Sequence, residues 1–474
     1  MTDRGSSRTE LVRGLGLWGA IAINVANMIG TGVFLKTRVM TCNVGSPLLV
    51  LAVWTAAGLL TLAGTFAYAE VAAMIPEAGG DYVFLRRAYG RLTGFLYGWT
   101  TFAIYKTGSQ AALAVGFAIF LNVASGGALE GNALAGTLFG VPLHLSWLAV
   151  VAVAAIWAVA AINCRSVATG GRTAIVLTSA KVVLLAALAI GAFAFATGHW
   201  GHFGLPATGA TCEGVEASAR GGVAGFGAAM LGALWAYDGW SNVTPLAGEI
   251  KDPARDLPRA FVGGMLVVGA LYLAVNLAYF YVLTPTEVAS VSSTSSVATE
   301  VMKRFVGPAA VTLAAVALML SAFGSLQASV LSGARIPFAM AREGLFFRGL
   351  GEVAPHTHVP ARAVLASAAW ASVLAVSGSY DTLTDAAVFA VWLFYGLTAS
   401  SLFVFRRTLP DAPRPYRAFG YPLVPAAFIL VTVALLANTF VATPRLALIG
   451  VAVMLAGLPF YLYWSRQLPP LTPP

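Results

Sequence analysis

Long apolar runs, a low charge content and a one-sided placement of basic residues predict an all-α polytopic membrane protein with twelve transmembrane helices. Of 474 residues, 58% are hydrophobic and 10% charged, against about 25% charged in soluble domains. Apolar runs of about 20 residues, enough to cross a bilayer, recur along the whole chain.

The runs place spans at 15–36, 47–74, 92–121, 144–163, 172–197, 222–247, 258–284, 306–340, 361–379, 384–405, 421–441 and 445–465. The eighth is long enough for a span plus an extension. Residues 1–14, MTDRGSSRTELVRG, show no small-residue cleavage site behind a short apolar core, so no removable signal peptide is expected. The loop Pro76–Tyr82 is dense in turn formers, and the outer loop Ser290–Ser296 reads as a flexible cap.

With the N-terminus inside, 20 of the 28 lysines and arginines fall on the inner side. Six fall outside (Lys36, Arg38, Arg220, Lys303, Arg304, Arg445), and Lys106 and Lys181 fall within spans. This asymmetry predicts a multi-pass protein of the plasma (inner) membrane with both termini cytoplasmic. The net charge of +9 thus reflects topology, and no nucleic-acid partner is expected beside the lipid bilayer.

Two spans are interrupted. Gly14–Phe34 carries Asn24, Asn27 and Gly30-Thr31-Gly32; Gly221–Leu246 carries Asp238-Gly239, then Ser241, Asn242 and Pro245. Glycine and proline at membrane depth free backbone groups that must be buried in protein or face water. A pair of such segments in corresponding halves of a chain points to the central site of a transporter. Broken helices present N–H groups suited to a carboxylate and carbonyls suited to an ammonium or a metal cation, which matches an amino acid zwitterion. The bland alternative is that Gly30 and Gly32 only permit close helix packing.

Lys181 lies at least nine residues from either end of its span, too deep to snorkel, and needs a carbonyl, hydroxyl or carboxylate partner. It reads as a fixed positive charge near the breaks or as a structural tie to freed carbonyls. Lys106 is also mid-span, where Tyr105, Thr107, Ser109 and Gln110 could solvate it. Asp238 should cap exposed N–H groups, meet a lysine or be protonated. Glu70 reads as an interfacial anchor. Trp392 reads as a packing residue, while Trp235, at the break, has a better claim to a site wall.

Nothing in the chain reads as enzymatic: there is no phosphate-binding loop with its lysine and no His/Cys metal cluster, and no cofactor is expected. Cys42 and Cys212 both fall on the outer side, where a bridge is conceivable and undecided.

Met28–Phe34 (MIGTGVF) resembles the first-span signature of the amino acid–polyamine–organocation superfamily. Leu234–Trp240 with Gly248–Pro253 resembles span six of its L-type amino acid transporter branch, Leu320–Leu326 with Ala334-Arg335 resembles span eight, and Pro76–Tyr82 the loop after span two. The likeness covers essentially the whole chain. It implies a LeuT-type fold: inverted repeats at 15–197 and 222–405, an outer loop at 198–221, a cytoplasmic loop at 406–420, two further helices at 421–465 and a cytoplasmic tail at 466–474. By matching position, Thr31 and Gly32 would bind the substrate carboxylate and the carbonyls near Met28 and Trp235 would take the amino group, with Ile29, Gly30 and Ala236 also counted as substrate-binding. Trp235 would gate the outer side, and Asp238, Ser241 and Trp392 would complete the site. Lys181 aligns with a lysine that stands in for a sodium ion, bordered by Ser321 and Ser325. Asp238 falls where many animal members carry a small residue. Animal members pair with a glycoprotein through an outer cysteine that Cys42 and Cys212 do not clearly match, so no such partner is expected.

The resulting expectation is sodium-independent exchange of neutral L-amino acids by alternating access. Proton-coupled uptake, a polyamine or cationic substrate, and a non-transporting sensor are the rivals.

Overall fold

The computed structural model describes residues 11–138, 141–292, 295–377, 380–442 and 444–468. The first interrupted stretch forms two helices, α1 (Leu17–Met28) and α2 (Gly32–Val44). Ile29 has φ −76° and ψ 81°, outside the helical region, so the hydrogen-bond ladder stops there. Because α2 continues to a left-handed Gly45, Lys36 and Arg38 lie within a helix that runs beyond the span end read from the sequence at residue 36.

Ser46 caps α3 (Pro47–Met74) by accepting from the Leu49 N–H, with Pro47 in the first turn, where a missing N–H does no harm. Next come α4 (Asp81–Tyr89), α5 (Arg91–Thr100), a π-helical turn at Thr101–Tyr105, and α6 (Lys106–Ala124). The all-α expectation needs one correction. An antiparallel pair, β1 (Asn132–Leu138) and β2 (Val141–Ser146), fills the connection to the next helix. Its strands are short and fall between the apolar runs that guide a span reading.

Helices α7 (Trp147–Arg165) and α8 (Val167–Phe195) follow, α8 being capped by Ser166. On α8, Val176, Val183 and Ile190 are exposed at seven-residue spacing, while Thr178, Lys181, Leu185 and Leu188 are buried. That is a lipid-facing stripe opposite a protein-facing one. The second interrupted stretch gives α9 (Gly222–Tyr237), a turn, and a 3₁₀ helix at Thr244–Glu249. The span predicted over 222–247 is therefore α-helical only in its first part: Gly239 adopts φ +98°, and Pro245 removes a donor from the remainder.

The chain continues with α10 (Pro253–Val282), the short α11 (Pro285–Ala289) and α12 (Val297–Lys303), α13 (Ala310–Gly333), α14 (Arg335–Arg342), α15 (Ala361–Ser377), α16 (Tyr380–Thr408), α17 (Leu423–Ala442), α18 (Pro444–Leu455) and α19 (Leu458–Ser465). Among the described residues, eight helices are long and apolar enough to cross a membrane; Gly222–Tyr237, Ala361–Ser377 and Leu423–Ala437 are shorter apolar helices.

Ties at the two ends hold the bundle. At the basic end, Arg335 donates to Glu249 from Nε (2.6 Å) and Nη2 (2.9 Å), with both side chains wholly buried. Glu70, also wholly buried, accepts from both Nε and Nη2 of Arg406 and from the Ala418 N–H. At the hairpin end, Cys42 and Cys212 form a disulfide. Beside it the Asn43 amide donates to the Ala219 carbonyl (2.6 Å), and the Asn43 carbonyl accepts from Gly221 (2.7 Å).

Candidate functional site: two broken helices

The two breaks meet in the middle of the bundle. A Cβ on Gly32 would lie 2.6 Å from the Ala236 Cβ, and one on Gly239 would lie 2.9 Å from the Asn27 backbone. The glycines therefore do allow close packing, but of one broken segment against the other. Asn242 donates to Asn27 across the junction at 3.1 Å, while Asn27 donates to the Ile23 carbonyl at 2.7 Å.

The carbonyls of Ala26, Ile29 and Gly30, freed by the first break, find side-chain partners. The Lys181 ammonium donates to the carbonyls of Ile29 (2.7 Å) and Ala26 (3.0 Å) and to the Ser325 hydroxyl (2.7 Å). Ser321 lies 3.1 Å from the carbonyls of both Ile29 and Gly30. The lysine thus occupies a nest of carbonyl and hydroxyl oxygens, the donor set that unwound helices offer to a sodium ion. Gly324 makes room for it, since a Cβ there would stand 2.8 Å from the Lys181 Cε.

Tyr272 joins the two breaks. Its buried hydroxyl lies 2.8 Å from the Met28 carbonyl and 2.9 Å from that of Ala236. The Met28 carbonyl also accepts from the Gly30 N–H (2.8 Å), while that of Ala236 has a second lone pair that a ligand ammonium could use. α2 opens at Gly32; the Phe34 and Leu35 N–H groups donate to the Thr31 carbonyl (both 3.2 Å), and the amides of Gly32 and Val33 point back toward the break with no intrahelical acceptor. Positive and negative helix ends therefore stand side by side, with a hydroxyl bridging the negative pair.

Asp238 ends α9, but tyrosines rather than backbone amides of the other break meet its carboxylate. Tyr395 donates to Oδ1 at 2.8 Å, Tyr105 approaches Oδ2 at 3.4 Å, and the two hydroxyls lie 3.2 Å apart. Trp235 stands half-buried one turn earlier on α9, its carbonyl accepting from the Asp238 N–H. Ser241 lies in the following turn, with its carbonyl taken by Thr244. Trp392 is set farther off, packed on Tyr395 and Phe428, and reaches the break through these rings, both of which contact Trp240.

A cavity of about 590 Å³ runs from Ser296, Thr299 and Lys303 at the hairpin end, past Phe120 and Leu318, down to Thr31. The basic end is closed: Leu15 pairs with the chain at Glu249 and Lys251, and Gly79 donates to the Pro245 carbonyl. The cavity thus opens the first break toward the hairpin end.

Sequence reasoning missed Tyr272 and Tyr395. A tyrosine within a membrane helix has no spacing that separates a carbonyl bridge from ordinary packing. For Tyr105 and Gly324 the motif was visible and the role was not.

A mostly helical membrane bundle with two abutting broken helices and a one-sided cavity is the architecture of a permease. The family model described as amino acid permease matches residues 15–464, and the chain belongs to that family. Among curated relatives it is 31% identical over 455 residues to the serine/threonine exchanger SteT of Bacillus subtilis (strain 168), covering 95% of this chain and 96% of the relative. It is 30% identical to the mouse b(0,+)-type amino acid transporter 1 (96% of this chain, 88% of the relative) and 30% identical to the mouse large neutral amino acids transporter small subunit 2 (98% and 83%). The chain is therefore a transporter and not an enzyme.

Proposed function

We propose that the protein exchanges neutral L-amino acids across the plasma (inner) membrane by alternating access, without sodium. The observation that carries this reading is Lys181 on the carbonyls of Ala26 and Ile29: a covalently fixed cation fills the nest a sodium ion would need. The exchanger among the relatives supports the exchange mode.

In this reading the substrate carboxylate meets the amides at Thr31 and Gly32, and its ammonium meets the carbonyls of Met28 and Ala236, beside Ile29 and Gly30. Trp235 gates the cavity above, while Asp238, Ser241 and, through Tyr395, Trp392 shape the side-chain end. Lys181, Ser321 and Ser325 hold the break in place of a coupling ion. Twelve spans follow if α9, α15, α16 and α17 cross alongside the eight longer helices. The LeuT-type 5+5 repeat would then end at residue 405, with both termini cytoplasmic and no glycoprotein subunit needed.

The test uses purified protein in liposomes preloaded with, or lacking, unlabelled amino acid. Labelled alanine or serine should enter only preloaded vesicles, and uptake should ignore sodium and a pH gradient. Uptake into empty vesicles driven by a pH gradient would instead make the protein a proton-coupled permease.

A further inference from the structure

A second cavity lies at the basic end, away from the broken helices. It measures about 690 Å³, within the roughly 300–1,000 Å³ of ligand pockets. One wall is the turn after α14, from Gly344 to Arg348. The other is one face of α19, where Phe460, Tyr463 and Trp464 follow helical spacing, with Gln467 just beyond. Gly344 brings the two walls together: it adopts φ +76°, and a Cβ on it would stand 2.9 Å from the Leu468 side chain.

The floor of this cavity is aromatic. The rings of Phe346, Phe347 and Phe460 pack on Trp464 at centroid distances of 5.3, 5.3 and 5.9 Å. Yet Phe347 and Tyr463 stay 59% and 64% exposed, so the described chain leaves them uncovered. They stand at the end of the apolar helix Leu448–Ser465, and tyrosine and tryptophan at such an end mark the level of the lipid headgroups.

The rim is cationic. Arg348 lines it, and Arg466 precedes Gln467 in the chain; both are exposed. The carboxylates that flank Arg348 in sequence are engaged elsewhere. Glu343 accepts from Tyr82 at 2.6 Å and pairs with Arg86 at 2.9 Å, and Glu352 pairs with Arg362 at 2.7 Å. Among the described residues, neither Arg348 nor Arg466 has an ion pair.

We propose that this cavity binds an anionic phospholipid from the leaflet at the basic end. Arg348 takes the phosphate through its planar fork, Arg466 adds charge, and the acyl chains run along Phe347, Phe460 and Tyr463. Guanidinium matches phosphate in a two-bonded geometry, and a basic pocket beside membrane helices favours an anionic headgroup. A zwitterionic lipid offers the same phosphate but brings an ammonium toward two unpaired arginines. A free phosphate would leave the aromatic floor uncovered. The site is independent of the broken helices and of the exchange mode.

The experiment titrates delipidated full-length protein in detergent with phosphatidylglycerol, with phosphatidylcholine of the same chains, or with soluble glycerol phosphate, and follows retention by native mass spectrometry. Wild type should retain phosphatidylglycerol in preference to phosphatidylcholine. Arg348→Gln and Arg466→Gln should each cut that preference roughly fivefold, the scale of one cation near an anionic lipid. Arg407→Gln removes an exposed charge of the same end outside the cavity and should leave the preference as it is. All three side chains are exposed, so the variants should fold. Equal retention of the two lipids by wild type, or an equal loss in Arg407→Gln, overturns the proposal. Glycerol phosphate retained as tightly as the lipid would make the ligand a soluble phosphate, and a Tyr463→Cys variant that cross-links to itself would put a second copy on this face. Either result overturns the lipid assignment too.

Discussion

Arg335 and Glu249 form a two-bonded ion pair with neither side chain exposed, and it joins the start of α14 to the last residue of the 3₁₀ segment beyond the second break. Removing one partner of a buried pair leaves the other charge unpaired, which costs about 3–5 kcal/mol. Arg335→Met should therefore lower the thermal midpoint of the purified protein well beyond Arg348→Met at the surface. Equal midpoints would show that the pair is not buried in the membrane.

Lys181→Ala removes charge-assisted hydrogen bonds worth about 1.5–3 kcal/mol each to the carbonyls of the first break. Exchange should fall roughly tenfold or more, with membrane expression largely kept. Unchanged exchange kinetics would end the idea that the lysine replaces a cation.

Tyr272→Phe keeps the ring and deletes the hydroxyl that touches both breaks. The carbonyls of Met28 and Ala236 lose a partner worth roughly 1 kcal/mol, so substrate KM should rise a few-fold while the fold survives. A KM equal to wild type would place the substrate ammonium elsewhere.

Gly32→Val drives a side chain into Ala236, where even the Cβ has no room, and Thr31→Pro removes an amide donor at the same break. Substrate binding should be lost in both. Normal affinity in the two variants together would remove the first span from the site.

Outside the membrane helices, burial pushes the Glu287 carboxyl up, but the N–H and hydroxyl of Thr284, with Arg304 and His202 nearby, outweigh it and hold the group below the usual glutamate range. A depressed folded pKa contributes stability above the unfolded value of about 4.3, and that contribution is lost as pH falls through the folded value. The protection factor for hydrogen exchange at α11 should thus fall on acidification below that range, and Glu287→Gln should flatten the dependence. An identical pH profile in the variant would remove Glu287 as its origin.

The membrane class, both breaks and the need of Lys181 for oxygen partners were legible in the sequence because each is a violation. Charge or glycine at membrane depth stands out against a uniform apolar background. What pairs with what was not legible. The Asp238 carboxylate could have found amides, a lysine or a proton, and it takes the meeting of the π-helical turn, the end of α9 and α16 to bring two tyrosines to it. The 3₁₀ continuation and the β hairpin escaped because hydropathy reports burial depth and not backbone geometry.

The disulfide at the hairpin end acquires a mechanical sense beside the breaks. Cys42 belongs to α2 and Cys212 to the loop before α9, and Asn43 ties the same two elements through its side chain and its backbone. The two half-helices are thus splinted at their far ends and jointed at their near ones. Such a unit swings as a single lever: any tilt that opens one joint must be felt at the other, so both halves of the site change together.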